Sequence, residues 1–326
     1  MGKHGPSRPQ PPSRPSPSPA QGARPGLLEL DRFSEASIEK WNSASRDLDE
    51  LNDILYFGLE PEWRRLRSEL IAALQSVPLA TVDLPKWVRF VTYQFSMNPL
   101  SCAGSLQDIG GRFNAGVELE AKTLSPWPAL YLAQDYETGF REKFQLASDS
   151  LVEGLTPQEL ALGQGVSHSV VSVTGQLSRV FDMTDPKSME SIARVFGKIK
   201  MPDRARQLMK KLRIPPTQIR MIRTGKQLLD LMFKYNWRSS PMQFGLPAQS
   251  QTLAELIRAA GFEAILYQSS KGPGQCLAVF PDLLDDESFV ELLDTPPPGV
   301  TRRRLDSESA EELSGWESVS LRSRLR

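Results

Sequence analysis

Gly110-Gly111-Arg112-Phe113-Asn114 is a glycine-flanked arginine loop, and the elements on its C-terminal side decide how the chain folds. Ala129-Leu130-Tyr131-Leu132-Ala133 is a short apolar run of the kind that forms a buried strand. Asp135 then opens a helix to about Ala147, with Glu142 on it. Far downstream, Gly261-Phe262-Glu263-Ala264-Ile265-Leu266-Tyr267-Gln268-Ser269-Ser270 reads as a strand with two serines at its end. Loop, strand, helix and distant strand together predict a domain in which strands and helices alternate irregularly.

On the N-terminal side of the loop, Trp87-Val88-Arg89-Phe90-Val91-Thr92-Tyr93 is rich in β-branched and aromatic residues and predicts a strand. Val170–Thr174 and Leu177–Asp182 read as two short strands about a Gly175-Gln176 turn. Helices are expected at 187–200, 203–212 and 225–236, and these form a helical insertion over about 187–236. Thr252-Leu253-Ala254-Glu255 has the form of a capping box, so a helix is expected from Thr252 to Gly261. Strands are expected at 262–268 and 275–280, with a short element near 288–294.

Ahead of this core, helical spacing runs through 28–57 and 61–77, with Pro61 in the first turn of the second helix. The resulting domain reading is a disordered Pro-rich leader at 1–26, an N-terminal helical accessory region at 27–78, a core at 79–295 and a flexible C-terminal tail at 296–326. The leader holds eight of the 26 prolines, too polar a composition to offset its ordering entropy. The fold class is α+β with a mixed sheet. No G-x-G-x-x-G follows a strand and opens a helix, which excludes a dinucleotide fold of the doubly wound kind.

Composition bounds the function. Lys plus Arg and Asp plus Glu are both 39, so no net charge marks the chain for nucleic acid, while a local basic pocket for a phosphorylated small molecule stays open. Two cysteines and two histidines provide neither a disulfide framework nor metal-ligand spacing, so no metal is expected, and a reducing cytoplasm fits best. No apolar run approaches the roughly 18–20 residues that span a bilayer, so no membrane role is expected. His168 lies between Ser167 and Ser169 in a loop-like stretch and is not expected to be catalytic.

The candidate residues have plain readings beside sharper ones. Arg112 after two glycines is either a solvated turn arginine or a guanidinium brought close to a phosphate. Arg89, inside an apolar strand, points with Val91 to one face while Val88 and Phe90 take the other, and it needs a carboxylate or a ligand phosphate. Glu142 lies off the Tyr136–Phe140–Phe144 stripe, on a face with Gly139 and Leu146. Ser269 and Ser270 precede a Lys271-Gly272-Pro273-Gly274 turn, where a serine caps locally or bonds a ligand. No histidine stands ready to activate either serine as a nucleophile.

Five motifs in this order resemble the RES domain, a family named for an arginine, a glutamate and a serine. They are Arg89 on an early strand, Gly110 to Asn114, Tyr131, Glu142 and Ser269, over roughly residues 85–295. Phe113 stands where the family more often has tryptophan, and Phe90 where tyrosine is common. The stretch between Glu142 and Ser269 is long for the family, and the N-terminal helices are additional.

The resemblance implies a core like that of ADP-ribosylating toxins and a toxin that consumes NAD as substrate, with no other cofactor. Glu142 would stabilise charge on the nicotinamide ribose, Arg89 and Arg112 would hold the pyrophosphate, Tyr131 would contact the ribose, and Ser269 the scissile end. Phe113, Asn114 and Ser270 complete the implied NAD-binding set. Water, phosphate or a protein remain open as acceptors, so a protein ADP-ribosyltransferase on the same scaffold stays an alternative, as does a non-catalytic binding module. The implied partner is an Xre-like antitoxin or another inhibitory protein, with self-occlusion by the N-terminal helices as the competing device.

Overall fold

The computed structural model describes residues 35–315 apart from 57–58, 121, 123, 147–154, 156–167, 235 and 297. Its centre is a seven-stranded mixed sheet. The strands are β1 (Ala80–Thr92), β2 (Leu130–Ala133), β3 (His168–Asp182), β4 (Ala264–Gln268), β5 (Gln275–Val279), β6 (Phe289–Leu292) and β7 (Arg304–Leu305). They lie in the order β1-β2-β5-β4-β3-β6-β7, and β1 also pairs along most of its length with β3, so five of the strands form a closed circuit. Among the described strand pairs, only β3 and β4 run parallel. In β1, Val88 faces Ala133 of β2 on one edge and Ser172 of β3 on the other.

The helices are α1 (Glu35–Tyr56), α2 (Glu60–Arg65), α3 (Arg67–Gln75), α4 (Tyr136–Phe144), α5 (Glu190–Phe196), α6 (Asp203–Lys211), α7 (Gly225–Met232), α8 (Ser239–Phe244), α9 (Gln249–Ala259) and α10 (Ala310–Ser314). One face of the sheet is covered by α3, α5, α7 and α9, whose Leu70, Leu74, Ile192, Leu228, Leu256 and Ile257 meet Phe181, Ile265 and Phe280. Burying each such side chain is worth about 1.5–3 kcal/mol. The opposite face packs Leu84, Trp87, Leu277 and Val290 against Leu305 and Leu313. Helix α1 joins a separate small cluster, through Leu51 against Ala205, Leu208 and Met209 of α6.

Several expectations from the sequence are corrected. The two short strands about Gly175-Gln176 are one continuous strand, β3. Gly175 is there for close approach: a Cβ on it would lie 2.1 Å from the carbonyl oxygen of Phe289, which crosses it on β6. Gly175→Val is expected to push β6 off β3 and cost about 2–3 kcal/mol, measured as a fall in denaturant midpoint; an unchanged midpoint would refute that reading.

Strand β1 begins at Ala80, seven residues before the apolar run at Trp87, with its register shifted between Leu84 and Trp87, where Pro85 withdraws a ladder donor. The helix expected over 61–77 breaks at Leu66 into α2 and α3. The one expected over 187–200 is a 3₁₀ turn at Pro186–Met189 followed by the short α5. Helix α9 starts three residues before Thr252, because the Gln251 side chain accepts from the Ala248 N–H and sets the entry there. The flexible tail expected from 296 onward is instead folded at 304–314, where Leu305 and Leu313 are fully buried and the Leu313 carbonyl accepts from the Cys102 N–H. The leader at 1–26, the start of the first helix and residues 316–326 lie outside the described residues.

Candidate functional site

Helix α4 owes its place to its first residue. The Asp135 carboxylate caps it, accepting from the Thr138 N–H at 2.8 Å and the Thr138 hydroxyl at 2.9 Å. The same hydroxyl accepts from the Gly274 N–H at 2.8 Å, which seats the β4–β5 turn on the helix. Glu142 is one helical turn beyond Thr138 and so on the same side. That turn therefore brings Ser269 to Glu142, and the serine hydroxyl donates to Glu142 Oε1 at 2.5 Å across 127 residues of sequence.

Ser269 is fully engaged. Its oxygen also accepts from the N–H groups of Lys271 and Gly272, at 3.0 and 2.9 Å. One donor and two lone pairs are all a hydroxyl has. The structure thus sets Ser269 behind Glu142, orienting it, with no lone pair left for nucleophilic attack. Ser270, in contrast, is exposed and lies outside the cleft.

Glu142 opens on a cleft of about 260 Å³ whose walls include Gly111, Arg112, Tyr131, Gly139 and Tyr267. Gly139 and Glu142 share the helix face that periodicity separates from Phe140, which is core. The arginine loop supplies another part of the wall. Gly110 takes φ +82°, a left-handed conformation that favours glycine, and turns the chain so that Gly111 and Arg112 border the cleft. The Gly111 N–H donates to Asn114 Oδ1, as does the Tyr131 hydroxyl, both at 2.9 Å. The Asn114 amide nitrogen donates to Ser105 O at 2.7 Å and Trp127 O at 3.2 Å. Asn114 is completely buried, and so is Phe113, whose ring packs on Tyr267 at 4.8 Å. Both residues build the loop from behind.

Arg112 turns into the cleft. Its Nη1 donates to Met232 O at 2.8 Å and more weakly to Lys234 O at 3.4 Å. The guanidinium lies 5.6 Å from the Phe233 ring centre and 5.5 Å from that of Trp237. Its Nε and Nη2 make no hydrogen bond among the described residues. Burial pulls its pKa below the ordinary value, Tyr267 and Glu142 oppose that pull, and Arg238 adds to it; an arginine remains charged at neutral pH. Burial also pulls the Lys143 amine down and pushes the Tyr131 and Tyr267 phenols and the Cys276 thiol up. The cleft's charged lining groups are therefore three cations, Arg112, Lys143 and Arg238, and one carboxylate, Glu142.

Arg89 is not among the lining residues. Val88 and Phe90 are, and alternation turns Arg89 away from them. Its Nη2 donates to the Ser101 carbonyl at 2.6 Å, and its Nε is buried with no partner among the described residues. Burial lowers its pKa. His168 stacks on Phe90 at 5.7 Å. No described residue of 35–78 lines the cleft.

Sequence alone did not mark Gln251, Tyr267, Trp237, Arg238, Lys143 or Cys276. Tyr267 was within reach, since alternation from Ser269 places it on the same face. Gln251 is completely buried, and its amide nitrogen donates to the carbonyls of Ile109, Gly111 and Asn114 at 2.8, 3.0 and 3.0 Å. It clamps the whole arginine loop from α9.

Among curated proteins, none matches this chain. A solved structure, that of the M. tuberculosis MbcT–MbcA toxin–antitoxin complex, is similar over 75% of this chain and 96% of that one, with 13% identity and a TM-score of 0.36. Residues 86–296 match the RES domain family, and these residues hold every side chain of the cleft just described. The chain is a member of the RES domain family.

Proposed function

We propose that this protein is a toxin that breaks the bond between nicotinamide and ribose in NAD. The observation that carries the reading is Glu142, held by Ser269 in a cleft that it lines together with Arg112 and two other cations. Cleavage moves the C–N bonding pair onto the nicotinamide nitrogen, which cancels its pyridinium charge and leaves oxocarbenium character on the ribose. A fixed carboxylate beside that ring stabilises the developing charge. An oxygen of the acceptor then bonds to the ribose carbon and loses its proton, giving ADP-ribose from water or its 1″-phosphate from inorganic phosphate.

In this reading Arg112 offers its Nε and Nη2 to the pyrophosphate, and Tyr131, with its hydroxyl tied to Asn114, presents its ring to the ribose. The reaction is assigned to the cytoplasm. The cleft opens to solvent, and an antitoxin-like protein that closes it is the partner this reading calls for.

Purified full-length protein is expected to release nicotinamide from NAD, with the second product resolved by chromatography with and without phosphate. Well-folded protein that leaves NAD intact under both conditions would refute the proposal.

A further inference from the structure

The rim of the cleft carries two arginines that share one indole. Arg112 lies 5.5 Å from the Trp237 ring centre and Arg238 lies 4.9 Å from it. Neither guanidinium has a carboxylate partner among the described residues, although fifteen ion pairs occur elsewhere among them. Two like charges held on one ring repel each other. Such a pair is stabilised when an anion with several oxygens lies between them.

The volume points the same way. At about 260 Å³ the cleft falls below the roughly 300–1,000 Å³ of pockets that enclose a whole drug-sized ligand. It has room for one end of a dinucleotide, and the linking phosphates must lie at the rim. Arg238 is exposed, so it stands at that rim. It follows the insertion helix α7, whose C-terminal segment Arg112 already grips through Met232 O and Lys234 O. The loop, the Phe233 and Trp237 rings and Arg238 thus form one stack.

We propose that Trp237 and Arg238 form, with Arg112, a pyrophosphate site that selects diphosphate-bridged dinucleotides over mononucleotides. This rests on the reading of the cleft as an NAD site. Arg89, which the family resemblance implies for this role, turns to the other side of β1. Arg238 supplies the second planar cation, and Trp237 keeps it from swinging into solvent.

The test is calorimetric binding of ADP to the full chain, beside steady-state turnover of NAD and of nicotinamide mononucleotide. Arg238→Gln is expected to weaken ADP binding and raise the KM for NAD by about tenfold, the scale of one lost charge-assisted hydrogen bond. Its kcat should stay within about twofold and its KM for the mononucleotide should hold. Arg238→Lys is expected to recover part of the affinity, since charge returns but the fork and the stacking do not. Both variants should melt with the parent, because Arg238 is exposed. Equal ADP affinity in parent and Arg238→Gln, with NAD turnover intact, would overturn this site and leave the reaction standing. Arg238-dependent ADP binding without NAD turnover would do the reverse. Absence of both would overturn both.

Discussion

In the proposed reaction, Glu142→Gln is expected to lower NAD cleavage by about 10²–10³-fold in kcat, or about 3–4 kcal/mol of transition-state stabilisation. The amide keeps the size of the carboxylate, and its oxygen still accepts from the Ser269 hydroxyl, so the contact at 2.5 Å survives in kind. What is lost is the full negative charge beside a ribose that becomes cationic only as the bond breaks. The effect should therefore fall on kcat, with the KM for NAD and the melting temperature little changed. Ser269→Ala would leave that charge in place but free to turn, so a smaller loss is expected from it. A glutamine variant that keeps even a tenth of parental kcat would remove Glu142 from the chemistry.

The second large effect is on stability. Gln251→Leu fills nearly the same volume, so no cavity complicates the result. It deletes the donor to Ile109 O, Gly111 O and Asn114 O and the acceptor for the Ala248 N–H. Ile109 O keeps a bond from Gly116 N and Gly111 O a long one from Asn114 N, so the uncompensated groups are Asn114 O and Ala248 N. Burying an unsatisfied group costs about 1–3 kcal/mol, which makes about 3–4 kcal/mol a reasonable expectation here. That is a large share of the ~5–15 kcal/mol that holds a protein of this kind together. A chemical melt is the measurement, read as a lower midpoint at constant slope. Turnover should fall too, because the loop bearing Arg112 loses its clamp. A midpoint within the error of the parent would show that the loop holds itself.

The parts of this architecture that announced themselves in sequence are those whose signal is local. Asp135 reads as a helix start because a short carboxylate satisfies N–H groups three residues on, and it does so here. The run at Trp87 and the one at Ala264 read as strands because apolar and β-branched residues crowd together. The glycines before Arg112 read as a tight loop for the same kind of reason. Gly175 misled because a glycine permits a turn and also permits close packing, and only the crossing of Phe289 tells which. The segment at 304–314 misled because the prolines and arginines before it hide two leucines whose partners lie on the far side of the sheet. Gln251 was silent because its value lies wholly in carbonyls about 140 residues away. Arg89 could be placed on one face of its strand, but which face borders the cleft is decided by sheet pairing that no local pattern encodes.

The tie between Ser269 and Glu142 has a consequence for the order in which the chain emerges from the ribosome. Glu142, Arg112 and Tyr131 are made early, yet the serine that orients the glutamate comes 127 residues later. The β5 strand that pairs with β2 comes later still, and the Leu313 carbonyl that receives the Cys102 N–H comes after that. A nascent polypeptide that stops short of Ser269 therefore carries the arginine and the carboxylate without the geometry that joins them. Translation must pass Ser269 and β5 before the cleft is complete, so a shorter nascent chain carries the residues of the site without the site itself.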